Sequence, residues 1–268
     1  MALGRVGRLV KYGFVAPLLG YVIRRTSLLD GGPDGPPAFI NYAGAGDFLA
    51  VGDQQAKLIT ARAPVPPGAR VLDLGSGIGR VAQGLHRQRP DLRYDGLDVV
   101  RYGIDWSRKA MRDAPGFRFH HADVRNSFYN PFGRTAPEDF RFPFADGSFD
   151  LVIATSVFTH LEGRTAKRYL AETSRVLVPG GALYATFFLK REVSVDGARF
   201  TFTHRRDGNW TESAAEPEMA VAFDPDWIED RAAECGLDPT AKWLGAWDGR
   251  DGADDLQDAV LLEKKAGP

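Results

Sequence analysis

Apolar positions set the outline of the chain. From residue 70 onward, short apolar runs alternate with segments whose apolar residues recur every three or four positions, the signatures of strands and helices. The runs predict strands at 70–75, 93–98, 117–121, 149–155 and 182–189, with helices at 79–88, 103–113 and 163–177. In the last of these helices Ala166, Tyr169, Leu170, Thr173, Val176 and Leu177 make one apolar face, and Val178-Pro179-Gly180-Gly181 ends it. Asp224 followed by Pro225 starts a further helix over 224–235, and two final strands fall near 240–246 and 257–264. Alternation of this kind implies right-handed crossovers and a doubly wound α/β fold, with a mostly parallel sheet covered by helices on both faces.

The pattern changes on either side of this core. Residues 9–23 are mostly apolar and are flanked by Arg5, Arg8, Arg24 and Arg25, with Lys11 inside. The run is shorter than the roughly 20 residues a spanning helix needs. Leu3, Val6, Val10, Phe14, Leu18 and Val22 share one helical stripe. Two partners stay open for that stripe: the core or a second copy in a homodimer, or a membrane surface met peripherally through residues 3–25. A Gly/Pro-rich break at 30–39 closes an N-terminal helical segment, 1–40, and opens the main domain, 41–268, whose residues 41–52 read as a loop into a helix near 52–63. Two stretches of that domain, 124–142 and 190–222, exceed the connections such a fold needs. Both leave the carboxyl side of strands, where open α/β sheets bind ligands. Their aromatics, Phe128, Tyr129, Phe132 and Phe140, then Phe200, Phe202 and Trp210, argue for lids or substrate walls rather than disordered linkers.

Composition narrows the partners. The chain has 268 residues, 44% of them hydrophobic, enough for one substantial core. A net charge of −1 without a basic tract gives no reason to expect a nucleic-acid partner. The single Cys235 cannot form an internal disulfide, so a cytoplasmic setting is the default, with membrane association open through the N-terminal segment.

The chemistry starts at VLDLGSGIGR, residues 71–80, an apolar strand that breaks into Gly75, Gly77 and Gly79 with Asp73 inside the strand. A dinucleotide turn of the G-x-G-x-x-G type needs a third glycine where Arg80 stands. GLDVV, HADV, FPFADGSFDLV, TSVFTHL and RVLVPGG follow in order. This series resembles the motifs of class I S-adenosylmethionine-dependent methyltransferases over about residues 45–190. The resemblance implies a Rossmann-like fold with a seven-stranded sheet, S-adenosylmethionine as methyl donor with S-adenosylhomocysteine as product, and a small-molecule acceptor. It also implies a cofactor cradle. Asp73 would face the cofactor's ammonium, and Gly75, Ser76, Gly77, Gly79 and Arg80 would wrap its methionyl and ribose parts. Asp98 would accept from the ribose hydroxyls. Val99 and Val124 would sandwich the adenine, whose amine Asp123 would accept beside Ala122. Ala154, Thr155 and Ser156 would line the methionyl chain. Each acid also has a plainer alternative as a turn or capping residue.

Methyl transfer from a sulfonium is an in-line displacement that asks the protein to align the nucleophile, exclude water and, for an alcohol, remove a proton. His160, just past the fourth strand, is the candidate base, a neutral imidazole suiting the task; a helix-start or cofactor-wall role is its alternative. His120 and His121 read as packing or capping residues and His204 as an outside candidate. No carboxylate spacing argues for a metal. Tyr129-Asn130-Pro131-Phe132 looks like the motif of base-amine methylases but precedes the fourth strand instead of following it. The expectation is therefore methylation of an oxygen on a sugar, glycolipid or natural product, with nitrogen or carbon acceptors and, further off, NAD-dependent oxidation as alternatives.

Overall fold

The computed structural model describes residues 15–26, 35–42, 44, 46–191, 198–206 and 208–266. It separates into two compact units, Met1–Pro137 and Glu138–Pro268, so their boundary falls within the 124–142 segment.

In the first unit, α1 (Ala16–Arg25) and α2 (Phe48–Arg62) precede β1 (Arg70–Leu74), α3 (Arg80–Gln88), β2 (Arg93–Asp98), α4 (Arg101–Ala110) and β3 (Phe117–His121). β2 lies between β1 and β3, parallel to both, with Val71 opposite Tyr94 and Asp98 opposite His121. β1 and β2 are buried almost end to end, as parallel strands covered on both faces must be. α2 starts four residues earlier than the sequence pattern suggested, because the Asp47 carboxylate accepts the Ala50 N–H at 2.7 Å and caps it there. α2 and α3 cross backbone to backbone at two glycines. A Cβ on Gly84 would stand 2.2 Å from the Gly52 carbonyl oxygen, and one on Gly52 2.5 Å from that of Arg80.

α1 corrects the expected stripe. Leu3, Val6, Val10 and Phe14 lie outside the described residues, and Leu18 is 62% exposed. The buried face is instead Ala16, Gly20 and Ile23, which packs with Tyr102 and Trp106 of α4. Small size decides this: a Cβ on Gly20 would lie 3.1 Å from Asp105 Oδ2, so the helices approach closely. The buried Asp105 carboxylate pairs with Arg24, and Lys109 donates to the Ile23 carbonyl at 3.2 Å and to that of Thr26, satisfying the end of α1. The core-capping role therefore belongs to this face, while Val15, Leu18 and Tyr21 face outward. No helix among the described residues is long and apolar enough to cross a membrane.

The second unit runs β4 (Phe149–Ala154), α5 (Gly163–Val176), β5 (Leu177–Leu189), β6 (His204–Arg206), β7 (Asn209–Thr211), β8 (Val221–Phe223), α6 (Pro225–Glu234), β9 (Leu237–Trp243) and β10 (Asp258–Lys264). β4 and β5 are parallel across the α5 crossover, and β10 inserts antiparallel between β5 and β9. The sequence pattern anticipates these strands. It does not anticipate the 190–222 stretch, read there as a lid or wall without strands. β8 pairs parallel with the end of β5, β7 antiparallel with β8, and β6 antiparallel with β7, which brings the strands among the described residues to ten rather than seven. Of the aromatics predicted to line a cleft, Phe202 is fully buried and packs with Phe188 and Trp247, so it is core rather than lid surface, while Phe200 and Trp210 are half-buried against the same cluster. The departure of β5 into this stretch is fixed by the fully buried Asp258. Its carboxylate accepts the N–H groups of Leu189 and Gly245, both at 2.8 Å, and the Trp247 indole at 2.7 Å, and it pairs with Arg191 at 2.9 Å.

Ile23→Ala should cost about 2–4 kcal/mol, the transfer and cavity loss of a buried aliphatic side chain, whereas Leu18→Ala should change stability by less than about 0.5 kcal/mol. Urea unfolding of the two variants checks this, and the reverse order would return α1 to the predicted stripe.

Candidate functional site

The glycine turn after β1 is built by backbone geometry. Gly75, Gly77 and Gly79 have φ of 67°, 59° and 75°, a region in which a side chain is strained. A Cβ on Gly79 would in addition lie 2.9 Å from Ser107 Oγ. These conformations turn successive N–H groups toward the end of β2. The N–H groups of Gly75 and Ser76 donate to the Leu97 carbonyl at 2.8 and 3.2 Å, and that of Gly77 donates to Asp98 Oδ2 at 2.9 Å. Asp98 Oδ1 accepts the Val100 N–H at 2.7 Å and the Tyr42 hydroxyl at 3.3 Å. Burial pushes the Asp98 carboxyl above its usual range against the opposing pull of these donors. A carboxylate offers about four lone-pair sites, and the chain itself takes most of them. The expectation that Asp98 serves two ribose hydroxyls thus meets a side chain already committed to the turn.

Asp73 is fully buried in β1. Tyr94 donates its hydroxyl to Oδ2 at 2.5 Å, while Oδ1 has no hydrogen-bond partner. Burial first, with the nearby Asp98 adding and Tyr94 opposing, raises its pKa to about 7. Ser76 Oγ is likewise buried without a partner. Ala122 donates to the Asp98 carbonyl at 2.9 Å, which sets the end of β3 beside that of β2; Val99 is partly buried and Val124 buried. The Asp123 carboxylate is half exposed and lies 3.6 Å from Arg134 Nε. Arg80 opens α3 directly after the turn. His120 meets Asp95 at 2.7 Å and His121 the Val99 carbonyl at 3.2 Å, in keeping with packing and capping roles. Sequence reasoning missed Tyr42 and gave Tyr129 only a general aromatic role. Their rings lie 6.2 Å apart, and the Tyr129 hydroxyl, pushed up to about 12 by burial and then by Asp98, belongs to the same cluster.

The second unit holds the other predicted residues. Ala154 ends β4 fully buried, Thr155 is partly buried, and Ser156 is exposed with φ 57°. A serine in that region is strained by on the order of 1–2 kcal/mol. It is held there by Thr186, whose Oγ1 accepts the Ser156 N–H at 2.8 Å, and by Gln257, whose Oε1 accepts the Ser156 hydroxyl at 3.0 Å and the Thr186 hydroxyl at 2.6 Å. His160 closes the short 3-10 turn Phe158–His160, with Nδ1 2.8 Å from the Glu218 carbonyl. A carbonyl only accepts, so Nδ1 carries the proton and Nε2 is the lone-pair nitrogen. Burial lowers the His160 pKa below its usual value and keeps the ring neutral at pH 7.

Comparison with known proteins bears on residues 72–185, which match the methyltransferase domain family. The chain carries a class I, S-adenosylmethionine-dependent methyltransferase domain. The chain is 34% identical over 122 residues to the phthiotriol/phenolphthiotriol dimycocerosates methyltransferase 1 of Mycobacterium ulcerans, a match covering 44% of this chain and 37% of that protein. It is 27% identical over 164 residues to the ubiquinone/menaquinone biosynthesis C-methyltransferase UbiE of Desulfotalea psychrophila, covering 59% of each. The chain thus spans between about a third and three fifths of these relatives. Among solved structures the [4+2]-cyclase SpnF shares the fold along 99% of this chain and 98% of its own, with a TM-score of 0.58 and 17% identity. A cyclase on this scaffold means that the fold alone does not assign the reaction.

The methyltransferase domain spans Asp73 to Ser156 and His160, while Tyr42, Glu218 and Gln257 lie outside the matched residues. The first unit fits the domain's cofactor. A buried carboxyl near neutrality with a partnerless oxygen, beside a partnerless serine hydroxyl, is a costly arrangement that a cation relieves. Asp73 and Ser76 would hold the ammonium end, and what the turn leaves of the Asp98 carboxylate would accept at most one ribose hydroxyl. When bound, S-adenosylmethionine supplies an electrophilic methyl on a sulfonium. Among the described residues no group of His, Cys, Asp and Glu has the arrangement of a metal site.

Because the folded Asp73 binds its proton more tightly than the unfolded one, its contribution to stability is greatest at acid pH and is lost as pH rises from about 4 through about 7. The full penalty is on the order of 4 kcal/mol. Asp73→Asn should therefore unfold at higher urea than the parent at pH 8, with the gap closing toward pH 4. Parallel stability curves for the two proteins across that range would contradict the assignment.

Proposed function

We propose that the protein is an S-adenosylmethionine-dependent methyltransferase acting on a small molecule through a hydroxyl group, with oxygen as the methylated atom. The observation that carries the reading is His160. The Glu218 carbonyl fixes its proton on Nδ1, and burial keeps the ring neutral, which leaves a basic nitrogen of defined tautomer on the connection after β4. The Asp73, glycine-turn and Asp98 cradle supports use of the methyl donor, as do the relatives named for methyl transfer. A sugar, glycolipid or natural-product hydroxyl fits this chemistry.

A second reading rests on UbiE, whose name specifies carbon methylation. Removing a proton from a ring hydroxyl also activates the neighbouring ring carbon, so His160 would play the same part and the methyl would end on carbon.

Calorimetry with S-adenosylhomocysteine tests the cofactor reading. The wild type should bind it, and Asp98→Ala should bind about 10–100-fold more weakly, the loss of hydrogen bonds to a charged acceptor. Absence of binding by the wild type rejects the reading. With a turned-over acceptor, kcat/KM should fall as pH drops through the His160 pKa, at a midpoint below 6.5. His160→Gln should remove that limb and lower the rate by roughly 10²–10⁴-fold while S-adenosylhomocysteine still binds. Persistence of the limb in the variant would place the base elsewhere.

A further inference from the structure

Ser156, Thr186 and Gln257 come from three separate elements and close into one polar group in the second unit. Ser156 follows β4, Thr186 lies within β5, and Gln257 immediately precedes β10. The geometry fixes the role of each atom. Thr186 Oγ1 accepts the Ser156 N–H at 2.8 Å, so its own proton is free to go to Gln257 Oε1 at 2.6 Å. The Ser156 hydroxyl donates to the same Oε1 at 3.0 Å. Two hydroxyl protons on one oxygen orient the amide, and the Gln257 NH₂ is turned away from both hydroxyls. Thr186 is buried, Gln257 half-buried and Ser156 exposed, so the group is anchored on one side and open to solvent on the other.

Two facts make a purely structural role insufficient. A left-handed serine is an expensive way to leave a strand where glycine would serve. The strain is held by a hydrogen-bonded group that faces outward at the carboxyl ends of β4 and β5, four residues before His160. Strain maintained by its surroundings at such a place marks a position that matters to a ligand.

We propose that Gln257 is a specificity-determining residue, whose amide N–H groups donate to a carbonyl oxygen of the methyl acceptor adjacent to the hydroxyl that loses its proton. The inference rests on the methyltransferase reading and narrows its acceptor to a hydroxy-carbonyl compound of the enol or hydroxyquinone class. Ser156 and Thr186 act through Gln257 as positioning residues. A donor aimed at the carbonyl gains strength as deprotonation of the neighbouring hydroxyl spreads negative charge onto it.

The experiment compares 5-hydroxy-1,4-naphthoquinone, a hydroxyquinone whose phenolic hydroxyl lies beside a carbonyl, with 1-naphthol, which carries the hydroxyl alone, by following S-adenosylhomocysteine release. Wild type should prefer the hydroxyquinone. Gln257→Glu keeps an oxygen for Ser156 and Thr186 but replaces the donor with an acceptor, and it should cut the preference in kcat/KM about 10–100-fold, mainly through kcat. Gln257→Leu should cut it to a similar degree. Wild-type calorimetry with S-adenosylhomocysteine separates the two levels of the argument, since no binding rejects the methyltransferase reading itself. Binding without turnover of the hydroxyquinone overturns the acceptor class. An unchanged preference in both variants, or an equal fall on both compounds, overturns the role of Gln257.

Discussion

The buried carboxylate of Asp98 is the constraint on which the first unit's site depends. It ends β2, yet it reaches the middle of the turn that ends β1 and the loop ahead of α2, through Gly77 and Tyr42. Burying a charge is unfavourable unless several donors surround it. The turn supplies them by adopting left-handed glycine conformations, which direct successive N–H groups to one side. The carboxylate and the glycines therefore require each other: without Asp98 the Gly77 N–H loses its acceptor, and with side chains at the glycines the turn could not present it. The tight glycine crossing of α2 and α3 then holds the helix that leaves the turn.

In three places the molecule departs from the rules that stabilise it elsewhere. Asp73 is an ionisable group in a strand interior, Ser76 has a hydroxyl without a partner, and Ser156 adopts a backbone conformation suited to glycine. Each would be removed by a sequence optimised for folding alone. Local inconsistency of this kind concentrates where a ligand supplies what the chain withholds. Asp258 shows the contrast. It is equally buried, but it has an arginine, two backbone N–H groups and an indole as partners, so it reads as structural.

Much of this was legible in the chain. The strands and helices from 70 to 189 follow from alternating periods, and the glycine turn from its spacing, because parallel strands buried on both faces leave strong apolar runs. The short strands β6 to β8 were not. His204, Arg205 and Arg206 are all exposed, so β6 carries no apolar alternation, and its existence depends on pairing with β7. The buried face of α1 was misread because its closest contact is a glycine and its larger residues, Leu18 and Tyr21, point outward. Tyr42 and Gln257 were missed for a related reason. Their importance lies in which carboxylate or hydroxyl they meet, 56 residues away for Tyr42 and 101 for the Gln257–Ser156 pair. No local pattern encodes a partner at that distance.

The distribution of these features along the chain carries an argument about specificity. The matched domain ends at residue 185, after the turn, Asp98 and His160 but before Thr186, the β6–β8 extension and Gln257. The groups suited to a common methyl donor thus lie within the part shared with relatives, while those that orient His160 and brace Ser156 come from the part that is not matched. Glu218 sets the imidazole tautomer through a backbone carbonyl, so its effect depends on the path of the chain between β7 and β8 rather than on the identity of one side chain. Changes in the stretch after β5 can therefore alter the settings of His160 and Ser156 together without touching the hydrogen bonds of the glycine turn.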